Sequence, residues 1–395
     1  MARICMVAYT DYHVDTRVRR EAEALVKRGD SVDMVCLNDE HRPASQIDNG
    51  VRLFEISIGR YRGADIKKYL ISYIWFFLTA TYKLTVLQIR NRYQIVQVHT
   101  MPDFMVFVAI VPKLFGAKVI LDVHDLMPEL YQSKFKLSSR HPVIRFITWI
   151  ERCSIRFADR AIAVHKPHLE ALCSHGNPSD KFILLLNLPD TDIFSGAVDY
   201  QPTSKSGFEL IYHGTVSKRH GLEVAIRAVS KLKESINGLK LTIIGDGEDI
   251  TRLATLVEQL DIQDLVQINQ GIVPLVELVY LIRGADVGVV PILYDDFTKY
   301  MLPTKLLEYA YLGIPTICSR TETIQAYFDE TMVQYFSPGC VSELAESILS
   351  LYQNPERRLE LSKNAKKFNE QFNWEKQKLT YYQLIDELIG RKSIP

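Results

Sequence analysis

Short apolar runs alternate along the chain with longer amphipathic stretches, and this alternation predicts parallel sheets built from strand-helix-strand units. In the first half the runs predict strands at Ile4 to Ala8, Ser31 to Cys36, Val51 to Glu55, Ile95 to Val98, Lys118 to Asp122 and Arg160 to Val164. Arg17 to Arg28 reads as a helix closed by Gly29, with Asp15 or Thr16 as its cap. Around Leu186 to Asp190 the pattern breaks into a polar, Pro- and Gly-containing stretch that reaches Gly207 and marks a domain boundary. A second series then predicts strands at Glu209 to His213, Lys240 to Ile244, Leu265 to Asn269, Asp286 to Val290, Ile314 to Cys318 and Val333 to Phe336. The expected fold is α/β: two doubly wound, Rossmann-like domains, residues 1–190 and 191–373, whose sheet edges face a cleft that takes the ligand.

Tyr69 to Ile89 departs from this scheme, being nearly continuous in apolar and aromatic residues. Lys83 and Gln88 lie inside it and strands of one domain continue on both sides, which argues against a membrane span. A core helix of the first domain is expected. Its flanks, Arg60, Arg62, Lys67 and Lys68 before and Arg90 and Arg92 after, also suit a peripheral contact of residues 60–92 with an anionic membrane surface.

At 395 residues the chain has room for two cores. Lys plus Arg equals Asp plus Glu at 47 each, which argues against a nucleic-acid-binding protein. Residues 1–190 nevertheless hold 26 basic and 20 acidic residues, so the first half is +6 and the second −6. Six cysteines without CxxC or regular spacing read as free thiols of a reducing compartment, and Met1-Ala2-Arg3 runs straight into a strand, so a cytoplasmic location is expected.

Two segments carry candidate chemistry. In Leu302-Pro303-Thr304-Lys305-Leu306-Leu307-Glu308-Tyr309-Ala310-Tyr311-Leu312-Gly313-Ile314-Pro315, Pro303 and Gly313 bracket a short helix. Lys305 stands in its first turn, where unpaired N–H groups attract anions, and Glu308 follows one turn later. Ile211-Tyr212-His213-Gly214-Thr215-Val216-Ser217-Lys218-Arg219-His220-Gly221 runs from a strand through a glycine turn with three potential cations into a helix, a way to hold a diphosphate. Either segment alone also reads as an ordinary surface feature. Gly245-Asp246-Gly247 lacks the third glycine of a dinucleotide fingerprint and reads as a tight turn. Asp190-Thr191-Asp192 has DxD spacing but lies beside Pro189 in the linker and reads as a turn, and no cluster has metal-ligand spacing.

Taken in order, HGTVSKRHG, IIGDGE, ADVGVVP, LPTKLLEYAYLGIPTI and the closing Phe372-Asn373-Trp374-Glu375 resemble a GT-B-fold glycosyltransferase of the GT4 type, over almost the whole chain. The resemblance implies a retaining enzyme that moves a sugar from a nucleoside diphosphate sugar to an acceptor hydroxyl, without a metal or other cofactor. It implies that Glu308 accepts hydrogen bonds from the donor ribose, and that Lys218, Arg219 and Lys305 meet the diphosphate. Gly271, Ile272 and Val273 would line the base, with Gly214, Thr215, Gly245, Thr304 and Leu306 completing the donor side. The last helix, about 374–390, would pack back on the first domain.

In that domain Leu121-Asp122-Val123-His124-Asp125 is similar to the family's active-site histidine segment, which assigns His124 to the reacting sugar. His99 ends the preceding strand and joins Arg17, Asp103 and Asp125 on the acceptor side; whether Asp103 or Asp125 supports a histidine is left open. The chain departs from the family where Tyr300 replaces a Glu near the donor sugar, and where Thr215 and His220 replace basic residues of the phosphate turn. A glycan acceptor is expected, lipid-linked if the basic first domain does meet a membrane, as in surface polysaccharide assembly. Two other classes share the architecture: a nucleotide-sugar epimerase and a catalytically silent nucleotide-binding module.

Overall fold

The computed structural model describes residues 1–38, 45–58, 66–191, 194, 200, 207–271 and 273–391. Ile272, Asp192, Arg60 and Arg62, named above, lie outside them. The chain forms two compact units, Met1–Asn187 with Glu375–Pro395, and Leu188–Trp374.

The first unit runs β1 (Arg3–Asp11), α1 (Thr16–Lys27), β2 (Ser31–Leu37), β3 (Ser45–Asp48), β4 (Val51–Ile56), α2 (Ile66–Asn91), β5 (Ile95–His99), α3 (Ile110–Leu114), β6 (Lys118–Val123), α4 (Met127–Phe135), α5 (Pro142–Phe157), β7 (Arg160–Ala163), α6 (Lys166–Ser174) and β8 (Phe182–Leu184). These strands form one eight-stranded sheet in the order β3-β4-β2-β1-β5-β6-β7-β8. All pairs are parallel except β3 with β4. β3 and β8, three or four residues each, escape a reading by apolar runs because each sits at an edge and carries polar or half-buried residues. The strand order reverses between β1 and β5, and at such switch points the C-terminal strand ends are open to ligands.

Asp15 caps α1 by accepting from the Val18 amide. The expected core helix is only half one. α2 buries Ser72, Phe76, Ala80 and Leu84 on one side. On the other it leaves Leu70, Ile71, Ile74, Trp75, Leu78 and Tyr82 in the open, Trp75 at 61% and Tyr82 at 73% exposure. Lys83 is tolerated inside the run because its ammonium donates to the Glu55 carbonyl at 2.9 Å.

The second unit runs β9 (Phe208–His213), α7 (Leu222–Leu232), β10 (Leu239–Gly245), α8 (Ile250–Gln259), β11 (Val266–Gln270), α9 (Leu275–Gly284), β12 (Val287–Val290), α10 (Thr304–Leu312), β13 (Thr316–Ser319), α11 (Glu322–Gln325), β14 (Gln334–Phe336), α12 (Val341–Gln353) and α13 (Pro355–Gln371). Its six strands are parallel in the order β11-β10-β9-β12-β13-β14, doubly wound with the reversal between β9 and β12. Leu210, Leu241, Ile243, Val287 and Val289 from the strands pack on Ile226, Val229 and Leu253 from α7 and α8, each side chain contributing about 1.5–3 kcal/mol.

The last helix, α14 (Trp374–Leu388), belongs to the first unit from Glu375 onward. Arg28, which follows α1, donates to the Tyr382 carbonyl at 3.0 Å and to Asp386 at 3.2 Å, and Tyr381 is fully buried.

Candidate functional site

Each unit gathers chemically able side chains at the C-terminal ends of its strands. In the first, parallel pairing of β5 with β6 sets His99 opposite Asp122. Asp122 and His124 lie two residues apart where β6 ends, so both leave the strand on the same side. One oxygen of Asp122, Oδ2, is 2.9 Å from His99 Nδ1 and 3.0 Å from His124 Nε2, and the two nitrogens are 3.2 Å apart. Its other oxygen accepts from Arg17, which also reaches Glu21 at 3.3 Å. Thr100 Oγ1 accepts the His124 amide at 3.0 Å and fixes the loop. Burial alone would raise the Asp122 carboxyl, but Arg17 and His124 outweigh it and hold the group well below the usual carboxylate range. Asp122 is thus an anion at neutral pH that orients two imidazoles, of which His124 keeps 19% of its side chain exposed.

The three ligand atoms lie within 4.8 Å of one another, a spacing a metal could bridge. The donor set does not suit one. Arg17 already occupies Asp122, and a guanidinium there opposes a second cation.

The supporting carboxylate is therefore Asp122, where Asp103 or Asp125 was expected. Asp103 is buried near Glu151, Asp125 and His175; burial first, then the carboxylates Glu151 and Asp125, push it well above its ordinary value. His175 bridges Glu129 and Glu151 at 3.0 Å each. Against burial, which lowers it, those hydrogen bonds push His175 up to about 10. Asp103 faces this structural ion cluster, and it makes no hydrogen bond to His99 or His124.

In the second unit the glycine turn after β9 meets the start of α10. A Cβ on Gly214 would lie 3.4 Å from Lys305 Cε, so the lysine stem crosses directly over the turn. A Cβ on Gly245, at the end of β10, would lie 1.9 Å from the Gly214 carbonyl oxygen, so only glycine lets these two strand ends approach. Lys305 stands 4.7 Å above the Tyr212 ring. Arg219 lies over Phe297 at 5.4 Å, and its Nε has no hydrogen-bond partner among the described residues. His213 Nε2 is 3.1 Å from Glu308 Oε2 without hydrogen-bond alignment, which leaves the carboxylate free to accept from a ligand. Gly271 follows β11, donates its amide to the Gly245 carbonyl at 3.1 Å, and has open space on its Cβ side; Val273 is half-buried two residues on.

Gly214, Gly245, Arg219, Lys305 and Glu308 are thereby brought together. Thr304 is exposed at the helix start, Leu306 is buried, and Thr215 is exposed with its carbonyl accepting from Tyr212 at 2.6 Å. Lys218 is exposed, with no contact to Lys305 or Glu308 among the described residues. His220 is not a third cation: burial, then Lys305 and Arg219, push it down to about 2, and its Nδ1 pairs with Ser217 Oγ at 3.0 Å. The residues that sequence reasoning passed over are Asp122, Glu21, Gln97, His213 and Phe297. The i, i+2 spacing of Asp122 with His124 and of Gln97 with His99 was the available signal.

Burial pushes the Lys305 ammonium down to about 8, Glu308 opposing and Arg219 assisting. A bound diphosphate favours the charged form and so raises this value. Diphosphate binding at pH 8.5 is therefore expected to take up a proton, and at pH 6.5, where Lys305 is already charged, to take up almost none. Calorimetry in two buffers of different ionisation enthalpy measures this; equal proton uptake at both pH values would contradict it.

Two family models match the chain. One described as glycosyl transferase 4-like domain covers residues 14–187, and one described as glycosyl transferases group 1 covers residues 201–368. A protein named for colanic acid biosynthesis, WcaL of Escherichia coli, is 33% identical over 110 residues, 28% of this chain and 27% of its own length. The amylovoran biosynthesis glycosyltransferase AmsK of Erwinia amylovora is 29% identical over 140 residues, 35% of this chain and 34% of its own length. The chain thus matches about a third or less of these curated relatives. Among solved structures, sucrose-phosphate synthase from Thermosynechococcus elongatus superposes with a TM-score of 0.79 at 18% identity, over 99% of this chain and all of that one. HepE of Anabaena in complex with UDP superposes at 0.71 and 12% identity, over 98% of this chain and all of that one. At these identities the structures speak to the fold alone.

Proposed function

This chain belongs to the group 1 glycosyltransferases of the GT4 type, with a GT-B fold, and from that premise we propose that it moves a sugar from a nucleoside diphosphate sugar to a glycan hydroxyl, with retention, in polysaccharide assembly. The observation that carries this reading is the juxtaposition of Arg219, Lys305, Gly214 and Glu308 at the strand ends of the second unit. Glu308 takes the two ribose hydroxyls, a pair of donors matched to two carboxylate oxygens. Arg219, Lys305 and the α10 amides meet the departing diphosphate, with Lys218 on the same loop, so that charge develops against fixed donors and no metal is required. HepE, crystallised with UDP, supports a nucleotide donor for this fold. The proposed donor sugar is a hexose or N-acetylhexosamine, and the names of WcaL and AmsK support a polysaccharide acceptor. On the first unit, His124 oriented by Asp122 serves the reacting sugar, with His99 and Arg17 behind it.

Thermal-shift screening of nucleotide sugars followed by transfer assays with the stabilising donor tests the reading. Transfer to a glycan acceptor supports it. A donor altered without acceptor would mark an epimerase, and bound nucleotide with neither transfer nor hydrolysis a silent binding module; either result overturns it.

The same proposal places the enzyme in the cytoplasm against the membrane, where a lipid-linked acceptor is presented. The apolar outer face of α2 supports this, as does α5, which exposes Phe146 and Trp149 with Arg145 and Arg152. Replacing Trp75 and Leu78 together by Ser is expected to lower binding to anionic vesicles by about a hundredfold or more, given roughly 1.5–3 kcal/mol for each buried side chain. Flotation measures it, and a wild-type protein that stays off anionic vesicles at low salt would remove the membrane contact.

A further inference from the structure

The buried polar chain behind the histidine pair continues beyond Arg17. Glu21 takes Arg17 Nε on one oxygen and, at 2.8 Å, Gln97 Nε2 on the other. Gln97 Oε1 accepts from the Tyr381 hydroxyl at 2.6 Å. Glu21, Gln97, Asp122 and Tyr381 are all fully buried, and Tyr381 arrives on α14 from the far end of the chain. A hydroxyl, an amide and two carboxylates sunk in an apolar sheet domain are costly unless each bond is made, so their arrangement is specific.

We propose that Tyr381 is a positioning residue for the histidine pair: by donating to Gln97 Oε1 it fixes the amide so that an N–H faces His99, and so fixes which ring nitrogen of His99 carries the proton. An amide has one accepting and one donating end. With Oε1 held by Tyr381, the NH₂ end points at Glu21 Oε2 and lies 3.5 Å from His99 Nε2. A donor facing Nε2 demands a lone pair there, which puts the proton of neutral His99 on Nδ1, donating to Asp122 Oδ2. His124 Nε2 donates to the same oxygen, and its Nδ1 lone pair is left for a substrate hydroxyl. Were the amide reversed, Oε1 would face the Glu21 carboxylate and His99 would be drawn to carry its proton on Nε2. Tyr381 holds its own proton throughout, because burial and the nearby Glu21 raise its hydroxyl far above the ordinary range. Among the described residues, charged or titratable groups near the pair include Arg17 and Glu21 of α1, Asp122 of β6 and His168 of α6, the last kept neutral by burial.

The inference rests on the proposed function only for its catalytic consequence, and its test needs no substrate. Histidine ring ¹⁵N spectra of the full-length protein, free of ligand, are compared for wild type, Tyr381→Phe and Tyr382→Phe. Tyr382 is the control, since on the same helix it donates to the Ala24 carbonyl at 2.8 Å and touches no member of the chain described above. Wild type and Tyr382→Phe are expected to show His99 in the Nδ1–H form, and Tyr381→Phe a mixture with roughly half in the Nε2–H form. Identical His99 tautomers in all three proteins overturn the proposal. Gln97→Leu serves if Tyr381→Phe does not fold: the same mixture is expected, and a pure Nδ1–H pattern is the overturning result.

Discussion

Asp122→Asn is expected to lower sugar transfer by about 10²–10⁴-fold, the range that a well-placed acid–base group contributes. The amide keeps the size of the carboxylate but loses the charge that two imidazoles and Arg17 share. It also presents N–H groups to nitrogens that need an acceptor. The same variant loses stability, since removing one partner of a buried ion pair costs about 3–5 kcal/mol. The sign of the pH dependence follows from the depressed carboxyl. Its stabilisation is fully present above the unfolded value near 3.8 and is lost as pH falls through the lower folded value. Melting temperatures of wild type and variant should therefore stand well apart at pH 7 and converge in acid. Equal melting temperatures at pH 7, with transfer intact, would dismiss Asp122 as the orienting group.

Glu308→Ala is expected to weaken nucleotide-sugar binding by about a hundredfold or more, because two hydrogen bonds to a charged acceptor contribute about 1.5–3 kcal/mol each. The fold should survive, for Glu308 is half-buried and its contact to His213 is not an aligned hydrogen bond. A second effect adds to the first. Glu308 holds the Lys305 ammonium up against burial, so its removal lets Lys305 fall below about 8 and lose its proton earlier. The affinity of the variant should then decline with rising pH from a lower starting point than that of wild type. Calorimetry at pH 6.5 and 8, with the nucleoside diphosphate of whichever nucleotide sugar stabilises wild type in the thermal-shift screen, reads both effects, and an unchanged affinity would end the ribose assignment.

Much of the local structure around the second unit's cluster was legible because its signals are local. Pro303 and Gly313 bound α10 at Thr304 and Leu312, and glycine at 214 and 245 marks where β9 and β10 end. A lysine in the first turn of a helix needs no distant information, whereas its passage over the Gly214 turn joins segments far apart in the chain. The histidine cluster was legible only in part. His124 and His99 stand at strand ends and draw attention, whereas Asp122 looks like one more position within an apolar strand. Its role depends on the register of β5 against β6, which hydrogen bonding between separate segments sets. The two faces of α2 were hidden for a similar reason: both are apolar, and periodicity cannot say which one a sheet will cover.

By itself the sequence determined the alternation of strands and helices and the division into two sheet domains, which depend on neighbours within a turn or two, and it singled out Arg219, Lys305 and Glu308 as residue types suited to a nucleotide. The tertiary structure alone decided that one carboxylate orients two histidines, that Arg17 is spent on it, and that Tyr381 of the last helix reaches Gln97. Those contacts join residues from one end of the chain to the other, and buried polar groups select such partners by geometry and by the cost of leaving any of them unpaired.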